Sequence, residues 1–283
     1  MTITIKPTGG ALGAEVSGID LSRELDAASW STIRDAWHRN LVLLFRDQSL
    51  APQKLAAFSR HFGVLDVVPA WRDFHPDGTP EVLVISNVKE GGKAIGVLGY
   101  GEAEWHTDMS YMAEPPRASV LHALEVPPSG GNTSFLNMYQ AYDDLPEDLK
   151  RAVEGREVNH DSSYDSTGSL RPGAPQVTDV RQAPGARHPL VRRHPDSGRA
   201  ALYLGRRLNA YVLGLPVAES ESLLDRLWAH VLQPKYVWEH SWRVGDVLIW
   251  DNRCTMHRRE PFDAATRRVM HRTQIKGERP IAA

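Results

Sequence analysis

The chain has 283 residues, 41% hydrophobic and 24% charged, an ordinary balance for a folded domain that excludes wholesale disorder. Lys and Arg number 33 against 35 Asp and Glu, a formal charge of −2, whereas a protein that tracks nucleic-acid phosphates carries a basic excess. A single cysteine, Cys254, excludes an internal disulfide framework and any multi-cysteine zinc or iron–sulfur centre.

In chain order, the first residues lack the basic start and long apolar run of a secretory signal, and 1–10 has the composition of an edge strand. Residues 26–40 read as a helix with Asp26 as its N-cap, feeding a short apolar run, 41–45, with the pattern of a buried strand. A second helix is expected over 52–62, closed by Gly63, and a strand over 81–86. Strands follow at 118–124 and 133–138 around a Pro-Pro-Ser-Gly-Gly turn, then a helix over 141–153. Segment 161–187 is rich in Ser, Gly, Pro and Arg, the composition of an active-site lid, a binding loop or disorder. Strands at 190–193 and 201–204, an amphipathic helix at 220–231 and a strand at 244–251 complete the series. Many short strands with a few helices predict a mainly β fold, a sandwich or jelly roll with helical decoration, in one domain spanning 1–283. No Gly-rich fingerprint of a dinucleotide site or phosphate loop is present. No apolar run approaches membrane-spanning length, so the expectation is a cytoplasmic protein with neither membrane nor nucleic acid as partner.

Twelve histidines make a metal the first thing to seek. In a strand, His106 and Asp108 share a face and offer an imidazole nitrogen and a carboxylate oxygen to one ion. Alone this pair is weak, because His-x-Asp is common by chance. His257 follows the 244–251 strand after a turn; by itself it has the more ordinary fate of a hydrogen-bonded histidine at a sheet end. Together the three make the two-histidine, one-carboxylate set that leaves three positions open on a non-haem iron. Arg268 and Arg272 share a face if 266–272 is a strand. Guanidiniums facing inward near a metal call for carboxylate ligands, while on a sheet edge they are merely solvated.

These residues, in this order, resemble the taurine/2,4-dichlorophenoxyacetate dioxygenase (TauD/TfdA) family over nearly the whole chain. The pieces are Phe45-Arg46-Asp47-Gln48, Trp105-His106-Thr107-Asp108, the turn from Pro127 to Gly131 with Thr133, and His188-Pro189-Leu190-Val191-Arg192. Trp250-Asp251-Asn252-Arg253 with His257, and the stretch from Arg268 to Arg272, complete the match. The resemblance implies a double-stranded β-helix, a cupin-like jelly roll, with His106, Asp108 and His257 as catalytic ligands of Fe(II). It implies 2-oxoglutarate and O2 as co-substrates, Thr133 and Arg268 holding 2-oxoglutarate, and Arg272 holding the acidic group of the prime substrate. It further implies decarboxylation of 2-oxoglutarate to succinate coupled to substrate hydroxylation, and a homo-oligomer, dimer or tetramer.

Around the substrate the pattern departs from the taurine enzyme, whose histidine and tyrosine correspond here to Val68 and Trp71, and whose asparagine corresponds to Glu102. An apolar pair in place of a polar one, with Met109 beside it, suits a small anionic organic molecule with an aryloxy or alkyl body; an acid at Glu102 repels a sulfonate or reads an amine. Arg193, Arg206 and Arg207 are candidates for an anion funnel, with plain surface charge as the alternative, and Cys254 reads as a small buried residue. Two other classes remain open on these residues: a zinc hydrolase with Glu104 or Glu102 as general base, and a non-catalytic sensor of a small acid.

Overall fold

Side-chain alternation decides the architecture. In the strands Val42–Phe45, Ala118–Glu125 and Val247–Asp251, successive residues point to opposite faces, and both faces are apolar. Val42, Leu44, Leu121, Ala123, Leu248 and Trp250 enter one core, while Leu43, Phe45, Val120, Val247 and Ile249 enter a second. A sheet buried on both faces must be covered twice. The helices Ala27–Asn40 and Pro52–Arg60 cover one side with Ile33, Trp37, Leu55 and Phe58; a second sheet covers the other with Phe135, Leu136 and Met256.

The computed structural model describes residues 3–67, 69–97 and 103–283. Its larger sheet has seven strands in the order Thr4–Pro7, Ala14–Ser17, Val42–Phe45, Val247–Asp251, Ala118–Glu125, Val269–Ile275, Leu83–Ser86. The facing sheet has four, in the order Val237–His240, Thr133–Asn137, Thr255–Arg259, Ala103–His106. Every pairing in these two sheets is antiparallel except that of Ala14–Ser17 with Val42–Phe45. Strands distant in sequence lie side by side, and the result is the double-stranded β-helix expected from the resemblance. No described helix is long and apolar enough to cross a membrane.

The local signals acted as expected at several points. Asp26 caps its helix, its carboxylate accepting from the Ser29 N–H at 2.7 Å, and the strand within 1–10 is the sheet edge Thr4–Pro7. Two expectations need correction. The helix foreseen over 141–153 is two, Met138–Asp143 and Glu147–Val153, because Pro146 has no N–H to donate and disfavours helical backbone at Leu145. Segment 161–187 is not a bare loop: its last residues belong to the strand Gly185–Pro189, which pairs antiparallel with Glu157–Asp161.

A buried ionic cluster pins the turn that leads into the strand Thr255–Arg259. The Arg253 guanidinium forks onto Asp251, Nε to Oδ1 at 2.8 Å and NH2 to Oδ2 at 2.7 Å, and NH1 reaches Asp196 at 2.8 Å. His194 Nδ1 accepts the N–H groups of Asp196 and Ser197, so its proton sits on Nε2, which donates to Asp251 at 3.0 Å. Burial alone raises the Asp251 pKa; Arg253 and His194 outweigh it and hold the carboxyl far below the usual range.

Candidate active site

The strand Ala103–His106 pairs with Thr255–Arg259 so that His106 lies opposite His257. The strand ends at His106, so Asp108 does not stand on it as the spacing suggests. It sits in the turn beyond, fixed by the Thr107 N–H on Gly205 O (3.0 Å) and by Met109 with a φ of 46°. The turn still carries the carboxylate back to the imidazoles. Asp108 Oδ1 is 3.6 Å from His106 Nε2 and 3.8 Å from His257 Nε2, and the three donor atoms lie within 4.8 Å of one another, all on buried residues.

Each of these side chains is oriented from behind. His106 Nδ1 is 2.6 Å from Glu104 O; a carbonyl can only accept, so Nδ1 carries the proton and the Nε2 lone pair faces the cluster. Asp108 Oδ2 accepts from Ser119 Oγ at 2.7 Å, Ser119 Oγ accepts from Asn252 Nδ2 at 3.2 Å, and Asn252 Oδ1 accepts from Trp250 Nε1 at 2.9 Å. His257 is walled by the rings of His106, Trp250 and Phe135 at 4.3, 4.9 and 6.0 Å between centroids.

The protonation states suit a metal. Burial raises the Asp108 pKa, but His257, His106 and Arg272 prevail and keep it ionised. Burial, helped by His106 and against the pull of Asp108, lowers His257 to about 3, so its imidazole is neutral near pH 7. A neutral His257, the Nε2 face of His106 and one carboxylate fit a divalent first-row ion and leave half of an octahedron free. A second group, His194, Asp251 and Cys254, is as close-set but does not fit: Arg253 and His194 already take the Asp251 oxygens, and burial keeps the Cys254 thiol protonated.

The three side chains open onto a cavity of about 310 Å³ whose walls include Thr133, Arg268, Arg272, Trp71 and Met109, the residues singled out in the sequence. Arg268 is 3% exposed and sits just before the strand Val269–Ile275; burial and the neighbouring Arg259 lower its pKa to about 9, which leaves it charged near neutrality. A register shift between Val269 and Met270 does not stop Arg268 and Arg272 from sharing the cavity. The Arg272 guanidinium lies 5.9 Å from the centroid of the Trp71 ring. Val68 and Glu102 lie outside the described residues.

Of the proposed anion funnel, only Arg206 lines the cavity. Arg207 is paired with Glu221 and Asp225, and Arg193 is exposed with a bond to Gly198 O. Two cavity residues, Arg259 and Arg171, and two residues that act from behind it, Trp242 and Ser119, were not foreseen. Arg259 lines it two residues beyond His257, where strand alternation alone could have pointed to it. Trp242 donates from Nε1 to Thr133 Oγ1 at 3.0 Å, which leaves the threonine proton free to be given to a ligand. Arg171, from the 161–187 segment, and Ser119 carry no local sequence signal at all.

A family model described as "Taurine catabolism dioxygenase TauD, TfdA family" matches residues 4–274. The chain belongs to this family. It is 35% identical over 280 residues to the (S)-phenoxypropionate/alpha-ketoglutarate-dioxygenase of Sphingobium herbicidovorans, covering 97% of this chain and 95% of that one. It is 36% identical over 282 residues to the alpha-ketoglutarate-dependent 2,4-dichlorophenoxyacetate dioxygenase of Cupriavidus pinatubonensis, covering 96% and 97%. Among solved structures, AAD-2 in complex with Mn(II) and N-oxalylglycine matches with a TM-score of 0.80 at 32% identity, covering 99% of each chain. As a TauD/TfdA member the protein is an oxidoreductase that depends on Fe(II), 2-oxoglutarate and O2.

The hydrogen bond behind Asp108 gives a direct test of how this site holds its ion. Ser119→Ala should leave the fold intact and weaken Fe(II) or Mn(II) binding roughly 10–100-fold, read by titration with a competing chelator. Unchanged affinity would mean that the Ser119 hydroxyl does not orient the carboxylate.

Proposed function

We propose that this dioxygenase hydroxylates a small organic acid with an apolar body, such as an aryloxyalkanoate or alkyl sulfate, anchored by Arg272. The observation that carries the reading is a single cavity in which a three-ligand metal site, a buried arginine at Arg268 and a separate arginine stacked near Trp71 converge. His106, Asp108 and His257 would hold Fe(II). Thr133 and Arg268 would orient 2-oxoglutarate, the hydroxyl giving its proton to a carboxylate and the guanidinium taking the far carboxylate in a fork. When bound, the iron with 2-oxoglutarate and O2 supplies the oxidation: one oxygen atom goes into succinate with loss of CO2, the other into a substrate C–H bond.

The chain's own part is placement and exclusion of water. Arg272 fixes the substrate anion, Trp71, Ile85, Leu121 and Met109 receive the apolar body, and the target carbon is thereby held against the open side of the metal. A hydroxyl placed on a carbon beside an ether or sulfate oxygen gives an unstable product that falls apart without further help from the protein. The zinc-hydrolase alternative lacks support. Of its two candidate bases, Glu104 is exposed and does not line the cavity and Glu102 lies outside the described residues, and a hydrolase has no use for Thr133, Arg268 and Arg272.

Succinate formation from 2-oxoglutarate with Fe(II), followed across aryloxyalkanoates, alkyl sulfates and sulfonates, tests this reading. The expectation is that an aryloxy or alkyl acid raises turnover well above the substrate-free rate. Arg272→Gln should raise KM for that acid by about 10–100-fold, the worth of a charged hydrogen bond, with little change in KM for 2-oxoglutarate. An equal rise in both constants would remove Arg272 from its assigned role. The 161–187 segment, which supplies Asp165, Ser166, Arg171 and Pro172 to the cavity wall, we take to close over bound substrate. Proteolytic nicking there should slow when 2-oxoglutarate and substrate are both present; nicking that is indifferent to them would leave the segment as fixed wall.

A further inference from the structure

Among the described residues, the substrate side of the cavity carries more positive charge than a monoanion can neutralise. Three guanidiniums reach it from three separate elements: Arg272 from the strand Val269–Ile275, Arg206 from the turn after the strand Ala200–Leu202, and Arg171 from the 161–187 segment. Arg206 and Arg272 both act electrostatically on His257, which sets both near the metal ligands. None of the three forms an ion pair among the described residues.

Arg171 and Arg206 are arranged as a pair. Tyr164 O accepts from Arg206 NH1 at 2.7 Å and from Arg171 Nε at 3.1 Å, so one carbonyl holds two guanidiniums together despite their repulsion. The Arg171 guanidinium also lies 4.7 Å from the centre of the Tyr111 ring. Each arginine has five N–H donors, and these contacts use few of them. The Nε atoms of Arg206 and Arg272 are buried with no hydrogen-bond partner. Like-charged groups kept together, desolvated and underused as donors, stand ready for an anion, because guanidinium does not discharge near neutral pH.

Among the described residues, Asp165 acts on both arginines, and Asp108 acts on Arg206 from the metal side. Asp165 Oδ1 is occupied by the Thr167 N–H (2.8 Å), the Thr167 hydroxyl (2.6 Å) and the Ser169 N–H (3.1 Å), so Asp165 offsets one positive charge at a distance without pairing. At the metal, a divalent ion is balanced by Asp108 and one carboxylate of 2-oxoglutarate, and the other carboxylate meets Arg268. Among the described residues, and with Arg259 engaged in contacts of its own, Arg272 and the surplus of the Arg171–Arg206 pair are left.

Resting on the dioxygenase reading above, we infer that the prime substrate is a dianion, an organic phosphate monoester or a dicarboxylate with an apolar body, whose second charge is taken by Arg171 and Arg206. The test compares ligands of matched body and different charge. Calorimetry on the Fe(II)- and 2-oxoglutarate-loaded protein under argon, at pH 8 and low salt, would use hexyl phosphate against hexyl sulfate. The phosphate is doubly charged there, since its second ionisation lies near pH 6. Phenoxyacetate against 4-carboxyphenoxyacetate forms the second pair.

The dianion of at least one pair should bind roughly tenfold or more tightly, as one added charge-assisted contact gives. Preference in the ester pair identifies a single doubly charged group as the ligand, and preference in the carboxylate pair identifies two separated ones. Arg206→Gln and Arg171→Gln should each shrink the ratio, and Arg206→Lys should keep most of it, which separates lost charge from lost fold. Wild-type protein that binds both members of both pairs equally, or prefers the monoanions, overturns the inference. So does a ratio that survives in the Arg171→Gln/Arg206→Gln double variant. Failure of the underlying reading shows differently, as 2-oxoglutarate that no probe causes to be converted to succinate while the binding ratio is still measurable.

Discussion

The antiparallel pairing of Ala103–His106 with Thr255–Arg259 is the constraint on which the site depends. Two segments separated by most of the chain are brought into register so that His106 faces His257, and the turn after His106 needs only to bring Asp108 back between them. The neighbouring pairing, Thr133–Asn137 with the same central strand, sets Thr133 opposite Arg259 and so puts both on the cavity. His106, His257 and Thr133 are thus set by one four-stranded sheet, whose backbone ladder resists the small shifts that would open the cluster, while Asp108 comes from the turn beyond it and Arg268 from the start of the strand Val269–Ile275 in the larger sheet.

The larger sheet serves a different purpose. Its inward face carries Ser119, Leu121, Arg272 and Gln274 toward the site, and its outward face is sealed by the two N-terminal helices through Phe45, Ile249 and their neighbours. Buried on both sides, that sheet can hold a charged residue such as Arg272 inward without loss of register, because a one-residue slip would turn its guanidinium into the core covered by the helices. The buried fork of Arg253 on Asp251 does the same at the turn that leads into the strand Thr255–Arg259. Stability and site geometry are therefore coupled: the contacts that hold the sheets together are those that aim the ligands.

Most of the residues proposed to hold the metal, the co-substrate and the substrate were legible in the sequence: His106, Asp108, His257, Thr133, Arg268 and Arg272 carry recognisable spacing, the resemblance joined them, and all six line one cavity. The alternating apolar runs likewise foretold two-sided strands. Less was legible where geometry is set by contacts far apart in the chain. Ser119 behind Asp108, Trp242 on Thr133 and Arg171 beside Arg206 meet only after the sheets close, and nothing in their local sequence announces it. Asp108 was placed correctly for a reason that does not hold: the strand ends before it, and a turn with Met109 in the left-handed region does what alternation was expected to do. The break at Pro146 was there to be read, and the helical pattern on either side masked it.

The central claim is that His106, Asp108 and His257 hold one Fe(II) with room for 2-oxoglutarate to chelate it. Anaerobic visible absorption tests this most directly. Adding Fe(II) and then 2-oxoglutarate to the protein should produce a charge-transfer band that saturates at one metal per chain and is absent when His257 is replaced by Ala. No band in the wild type, or the same band in His257→Ala, would contradict the account.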